Sequence, residues 1–102
     1  MTLSREGTRG SASSKFWFVI GRALGTVVVT LHGDLDRSGA VGLHDALDDL
    51  INNQGNMRVA VDLRSLRRID PSCASLFLAA SNWARRRGGS FTVHRRRPAL
   101  GS

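Results

Sequence analysis

Along the chain the spacing of apolar positions alternates between the two-residue beat of a strand and the three-to-four-residue beat of a helix. Phe16–Ile20 (FWFVI) reads as a first strand, with Gly21–Gly25 as a turn. Thr26–His32 (TVVVTLH) is the clearest strand, since three consecutive β-branched valines favour a pleated, buried surface. Gly33 is expected to end it, leaving Asp34–Arg37 as a loop. From Ser38 the beat changes: Ala40, Leu43, Leu47, Leu50 and Ile51 fall on one helical face, while Asp45, Asp48 and Asp49 lie largely opposite. Asp36 or Ser38 can cap this helix, and Asn52, Asn53 and Gly55 supply its stop signals. Arg58–Leu63 (RVAVDL) is a short third strand. A second helix is expected just after Asp70, a good N-cap, with Pro71 at the first helical position, where a missing N–H costs nothing. Cys73, Leu76, Phe77, Ala80, Trp83 and Ala84 form its apolar stripe, Gly88-Gly89 end it, and Ser90–Arg95 (SFTVHR) is a fourth strand.

The order β-β-α-β-α-β predicts an α/β domain with a mixed sheet of about four strands and helices packed on it. The first two strands form a hairpin and the later ones run parallel through helical crossovers. With 102 residues there is room for one core only. Aromatic residues are few, four Phe and two Trp without Tyr, so that core is mainly aliphatic. Residues 1–15, polar and small, read as a flexible tail, and residues 16–100 as the domain.

Charge and chemistry narrow the function. A single cysteine, Cys73, excludes an internal disulfide and a multi-cysteine metal site, which suits a reducing cytoplasm. No apolar run approaches the roughly 18 residues of a membrane span, and the chain start lacks a signal-peptide core, so no membrane partner is implied. His32, His44 and His94 lack metal-ligand spacing and read as structural. No phosphate-binding loop and no nucleophile elbow is present, so the chain reads as a binding module without cofactor or metal, not an enzyme. Asp34, Asp36, Ser38 and Asp45 match spacings of an EF-hand loop, but a strand rather than a helix precedes them, and the last ligand would be Asp. The net charge of +7, with fourteen Arg and one Lys, offers an alternative: a basic nucleic-acid-associated protein contacting phosphates through Arg67-Arg68, Arg85–Arg87 and Arg95–Arg97. No stacking aromatics stand beside these clusters, which argues against a nucleic-acid partner.

Three segments carry a further signal. Gly33-Asp34-Leu35-Asp36 follows a Val-rich strand; Val59-Ala60-Val61-Asp62-Leu63 continues through Ser65-Leu66 and Ile69-Asp70 into Pro71-Ser72-Cys73-Ala74 at a helix start; Arg87-Gly88-Gly89 precedes the final strand. In this order and spacing, from about Phe16 to Leu100, the chain resembles the STAS domain, the family of bacterial anti-anti-sigma factors (anti-sigma factor antagonists) that also occurs appended to sulphate transporters. The resemblance implies that the partner is an anti-sigma factor that is also a serine kinase, whose capture frees a sigma factor for transcription. It places the docking surface at Asp34 and Asp36, and at Asp70 with Ser72. The family pattern Asp-Ser-Ser/Thr-Gly carries its phosphate on the first serine; here that position is Pro71, which has no hydroxyl. Ser72 matches the second serine and is the remaining acceptor, and Cys73 stands in place of the glycine. Family members usually continue past the fourth strand with a helix. This sequence stops at Pro98–Ser102, so that helix is expected to be missing, leaving an apolar surface that fits a homodimer, a subunit of a larger complex or a degenerate domain.

Overall fold

The computed structural model describes residues 15–95. Most of the expected tail, and the Arg96–Ser102 stretch where a C-terminal helix was expected to be missing, lie outside the described residues.

Strands β1 (Phe16–Ala23) and β2 (Thr26–Leu35) form an antiparallel hairpin, Phe16 opposite Gly33 and Ala23 opposite Thr26. The turn predicted over Gly21–Gly25 contracts to Leu24 and Gly25, both with positive φ, 51° and 82°. Left-handed backbone at both positions gives the twist that a two-residue hairpin needs. Gly21, Arg22 and Ala23 remain paired with Val28, Val27 and Thr26.

Gly33 does not end β2, and Asp34 is not in a loop. The strand runs to Leu35, with a register irregularity between Gly33 and Asp34. Gly33 has φ +87°, and a Cβ there would collide with the Lys15 carbonyl oxygen, which accepts a hydrogen bond from Asp34 N at 2.9 Å. Only glycine allows this approach, and the resulting bulge redirects the strand without breaking it.

Helix α1 (Arg37–Asp48) follows and closes with a π-helical turn, Asp49–Asn53. Strand β3 (Arg58–Asp62) lies parallel to β2, and β5 (Ser90–His94) parallel to β3, giving the order β1-β2-β3-β5. A fifth strand goes beyond the expected four: β4 (Leu66–Ile69) pairs parallel with the far end of β2, past the stretch that β3 occupies. A 3₁₀ turn (Pro71–Cys73) then leads into helix α2 (Ala74–Arg86).

Both helices pack on one face of the sheet. Phe16, Phe18, Val27, Val29, Leu31, Val59 and Val61 point inward from the strands to meet Leu43, Leu47 and Ile51 of the first helical segment and Leu76 and Ala80 of α2. Complete burial of each such aliphatic side chain contributes about 1.5–3 kcal/mol. The other face carries Trp17, 40 % exposed, and Val19, 38 % exposed, and no described helix covers it. There Trp17 stacks on its cross-strand partner His32, with ring centroids 5.1 Å apart.

Candidate protein-docking site

The bulge at Gly33 and the extra strand β4 together set two helix starts side by side. Asp70 N donates to the Leu35 carbonyl at 2.9 Å, locking the end of β4 to the end of β2. One residue beyond Leu35 stands Asp36, the N-cap of α1, with extended backbone; its carboxylate accepts from Gly39 N at 2.8 Å and from the Ser38 hydroxyl at 3.1 Å. Asp70 repeats the arrangement, accepting from Ser72 N at 2.9 Å and from the Ser72 hydroxyl at 2.8 Å. Each oxygen thus answers N–H groups that a helix start leaves without partners.

These bonds favour the charged carboxylates. The Gly39 N–H, followed by the Ser38 hydroxyl, holds Asp36 below its ordinary pKa; for Asp70 the Ser72 N–H and then its hydroxyl do the same, with a smaller contribution from Arg37. Asp36 and Asp70 are close enough to repel one another weakly. Cys73 ties the two starts together from beneath: it is buried, and its thiol lies 3.8 Å from the Asp36 carbonyl. Burial pushes the Cys73 thiol pKa up, as expected for an inert core group.

The four residues predicted for docking divide evenly: Asp36 and Ser72 are exposed, Asp34 and Asp70 half-buried. Asp36, Asp70 and Ser72 share one surface, with Ser72 exposed in the first turn before α2. Asp34, expected in a loop, is instead on β2 with only 25 % of its side chain exposed. It pairs with Arg67 of β4: its Oδ1 lies 3.2 Å from Arg67 Nε, and its Oδ2 accepts from an Arg67 terminal nitrogen at 3.3 Å. Its neighbour Asp36 is the more accessible carboxylate because the strand continues through Asp34.

Beside the caps, a shallow cleft of about 410 Å³ opens between the helices, lined by Ala40, Val41, His44, Ser72, Cys73, Ser75, Leu76 and Ala79. Val41 is 65 % exposed, and His44 meets Trp83 of α2 edge-on with ring centroids 5.3 Å apart. The sequence pattern marks neither Val41 nor His44 as a docking residue. The signal was present in Val41, an apolar residue off the buried stripe of α1. Among the described residues no group of His, Cys, Asp and Glu is arranged to hold a metal ion, and no helix is long and apolar enough to cross a membrane. Asp34 and Asp36, which the EF-hand spacing would make ligands, face Arg67 and the α1 cap respectively.

A family model described as the Mlab, STAS domain matches residues 18–102. The chain belongs to the STAS domain family. No curated protein sequence matches it. Among solved structures, this STAS domain is similar to an anti-sigma factor antagonist from Mycobacterium paratuberculosis, with 20% identity, a TM-score of 0.73, and coverage of 89% of this chain and 76% of that one. It is also similar to the Bacillus anti-sigma factor antagonist SpoIIAA in its unphosphorylated form, with 19% identity, a TM-score of 0.69, and coverage of 82% and 77%. The phosphorylated form of SpoIIAA gives 19% identity, a TM-score of 0.66, and coverage of 82% and 76%. At these identities the likeness is one of fold. The mixed sheet with helices packed on it is the STAS arrangement, as the order of elements predicts, with β4 added to the expected four strands.

Proposed function

We propose that this STAS domain is a protein-binding regulatory module of the anti-sigma factor antagonist kind, docking an anti-sigma factor with serine-kinase character and so acting on sigma-factor-dependent transcription. The observation that carries this reading is the juxtaposition of Asp36 and Asp70 at two adjacent helix starts, beside a cleft with exposed apolar Val41. Such a surface combines an apolar centre with charged hydrogen-bonding groups at its edge, the composition of a transient protein interface. The fold shared with two anti-sigma factor antagonists supports the same reading. Asp34 contributes indirectly, by pairing with Arg67 of β4, the strand that runs into the Asp70 cap.

Ser72 is the hydroxyl through which such a surface could be switched. A phosphate there would add about −1.5 to −2 charges at a helix start, where backbone N–H groups accommodate negative charge. It would also lie against Asp70, whose bond from the Ser72 hydroxyl would be lost. The fold tolerates the change while the surface becomes strongly acidic, so a partner matched to the unmodified surface is released.

The test is capture from nuclease-treated lysate of the native cell at about 150 mM salt, with ATP or ADP added and bound protein identified by mass spectrometry. Recovery of an ATPase-type anti-sigma kinase, with retention lost in Asp36→Ala and reduced in Ser72→Asp, is the expected result. Retention that is equal in the parent and both variants would exclude the cap surface as the docking site. Material that disappears on nuclease treatment would favour the basic nucleic-acid reading instead.

A further inference from the structure

On the flank of α2 away from that cleft, a second and larger depression of about 700 Å³ lies between the helix, β4 and β5. Its walls are apolar: Leu66 and Ile69 come from β4, Phe91 and Val93 from β5, and Phe77 and Leu78 from α2. Phe77 and Phe91 stack with centroids 6.4 Å apart, while Leu78 is 68 % exposed and Ile69 42 % exposed. We propose that this groove seats an acidic amphipathic helix of a partner protein.

Two features of the groove select that occupant. The first is periodicity. Ala74, Phe77, Leu78 and Ser81 line it at helical spacings of three, four and seven, a small-and-apolar seam separate from the Leu76–Ala80–Ala84 stripe that α2 turns to the core. A seam of this spacing is complementary to another helix laid along it. From Ala74 to Ser81 it runs about 10 Å, two turns, so the occupant presents apolar residues at i, i+3, i+4 and i+7.

The second is charge. Arg67, Arg68 and Arg95 border the groove. Arg67 is paired with Asp34, whereas Arg68 and Arg95 form no ion pair among the described residues. The one acidic side chain among the described lining residues, Asp70, is bonded to Ser72 and keeps its charge, so with Arg67 paired to Asp34 the two remaining arginines leave the rim net positive. A helix with carboxylates flanking its apolar stripe therefore meets opposite charge at the rim. A second copy of this chain would bring the same arginines against themselves, on a molecule of net charge +7. The groove meets the cap surface at Asp70 but is distinct from the cleft, because Leu78, Arg68 and Arg95 line the groove and not the cleft.

The probe is a synthetic peptide of about 18 residues with Leu at i, i+3, i+4 and i+7 and Glu on the remaining face, titrated by fluorescence anisotropy at neutral pH. Three control peptides accompany it: the same composition in scrambled order, Lys in place of Glu, and a central Pro. The acidic amphipathic peptide is expected to bind with a Kd of about 10–100 μM, and the three controls at least about tenfold more weakly. Leu78→Gln, which preserves charge at an exposed position, should weaken binding about tenfold, and Arg68→Glu/Arg95→Glu should shift preference toward the Lys peptide. Circular dichroism verifies that each variant is folded. Equal binding of the Glu and Lys peptides, of the scrambled peptide or of the Pro peptide would overturn the proposal. So would no binding up to about 1 mM, or binding unaffected by Leu78→Gln. Sedimentation revealing a dimer that Leu78→Gln disperses would assign the groove to a second copy and overturn it as well.

Discussion

At the corner where β2 passes into α1, backbone and core leave almost no freedom. Gly33 is forced to be glycine by the Lys15 carbonyl, and Gly39 is buried against the Phe16 ring, where a Cβ would lie 2.8 Å from Phe16 Cδ2. At the corner where β4 passes into α2, the same capping chemistry rests on an exposed Pro71 and Ser72, and only Cys73 is anchored in the core. The first corner sets the geometry of the surface. The second carries the group that can change without altering that geometry, because its side chains project into solvent. Adjacent helix starts can therefore divide the work of a switch, one held by packing and one open to modification.

The comparison can be broken most directly at Gly33. Gly33→Ala forces a side chain into left-handed backbone and onto the Lys15 carbonyl, and should cost about 3 kcal/mol or more in urea unfolding. Gly39→Val, which must displace the Phe16 ring, should cost about 2 kcal/mol. A cost below about 0.5 kcal/mol for either would mean that the first corner is no stiffer than the second.

Acid examines the turn that leads into β4. Between β3 and β4 the Asp62 carboxylate accepts from Arg64 N at 2.9 Å and from the Arg64 guanidinium at 2.7 and 3.0 Å. The Arg64 side chain, opposed by burial and aided by the Arg64 N–H, lowers the Asp62 pKa from 3.8 to about 2. A depressed carboxylate contributes stability that is fully present above its ordinary pKa and lost as pH falls through the folded value. The loss here spans about pH 4 to 2, and since Arg64 is 66 % exposed and screened, it should amount to about 1 kcal/mol. Unfolding midpoints compared at about pH 5 and pH 2 in the parent and Asp62→Asn measure it; an identical acid response would remove Asp62 from this role. The smallest effect is expected at Ser72→Asp, where stability should stay within about 0.5 kcal/mol of the parent although the surface charge changes. A large loss would show the second corner to be as constrained as the first.

Much of this architecture is legible in the residues, and what is not has a common cause. The valine run of β2, the stripe Ala40–Leu43–Leu47 and the Asp70-Pro71 start are local signals, and each produces the element it predicts. Strand β4 is not local: Leu66-Arg67-Arg68-Ile69 has no two-residue alternation, and three of its four residues are exposed. It is a strand because β2 continues past Gly33 to offer a free edge, a pairing more than thirty residues distant. Treating Gly33 as a stop hides both that edge and the Asp34–Arg67 pair that depends on it. At the site, Asp36, Asp70 and Ser72 are readable as caps and first-turn residues. The cleft with Val41 and His44 requires the packing of α1 beside α2, which no single segment encodes.

The placement of the two tryptophans has a spectroscopic consequence. Trp17 lies on the open sheet face against His32, and Trp83 stands edge-on to His44 beside the cleft. With no tyrosine in the sequence, the near-ultraviolet emission of this protein comes almost wholly from these two rings. In Trp17→Phe the remaining emission belongs to Trp83, so a partner settling over the caps would announce itself as a change in colour and intensity without any added label. In Trp83→Phe the surviving signal comes from the opposite side of the sheet and should stay silent. One molecule thus carries its own reporter and its own internal control.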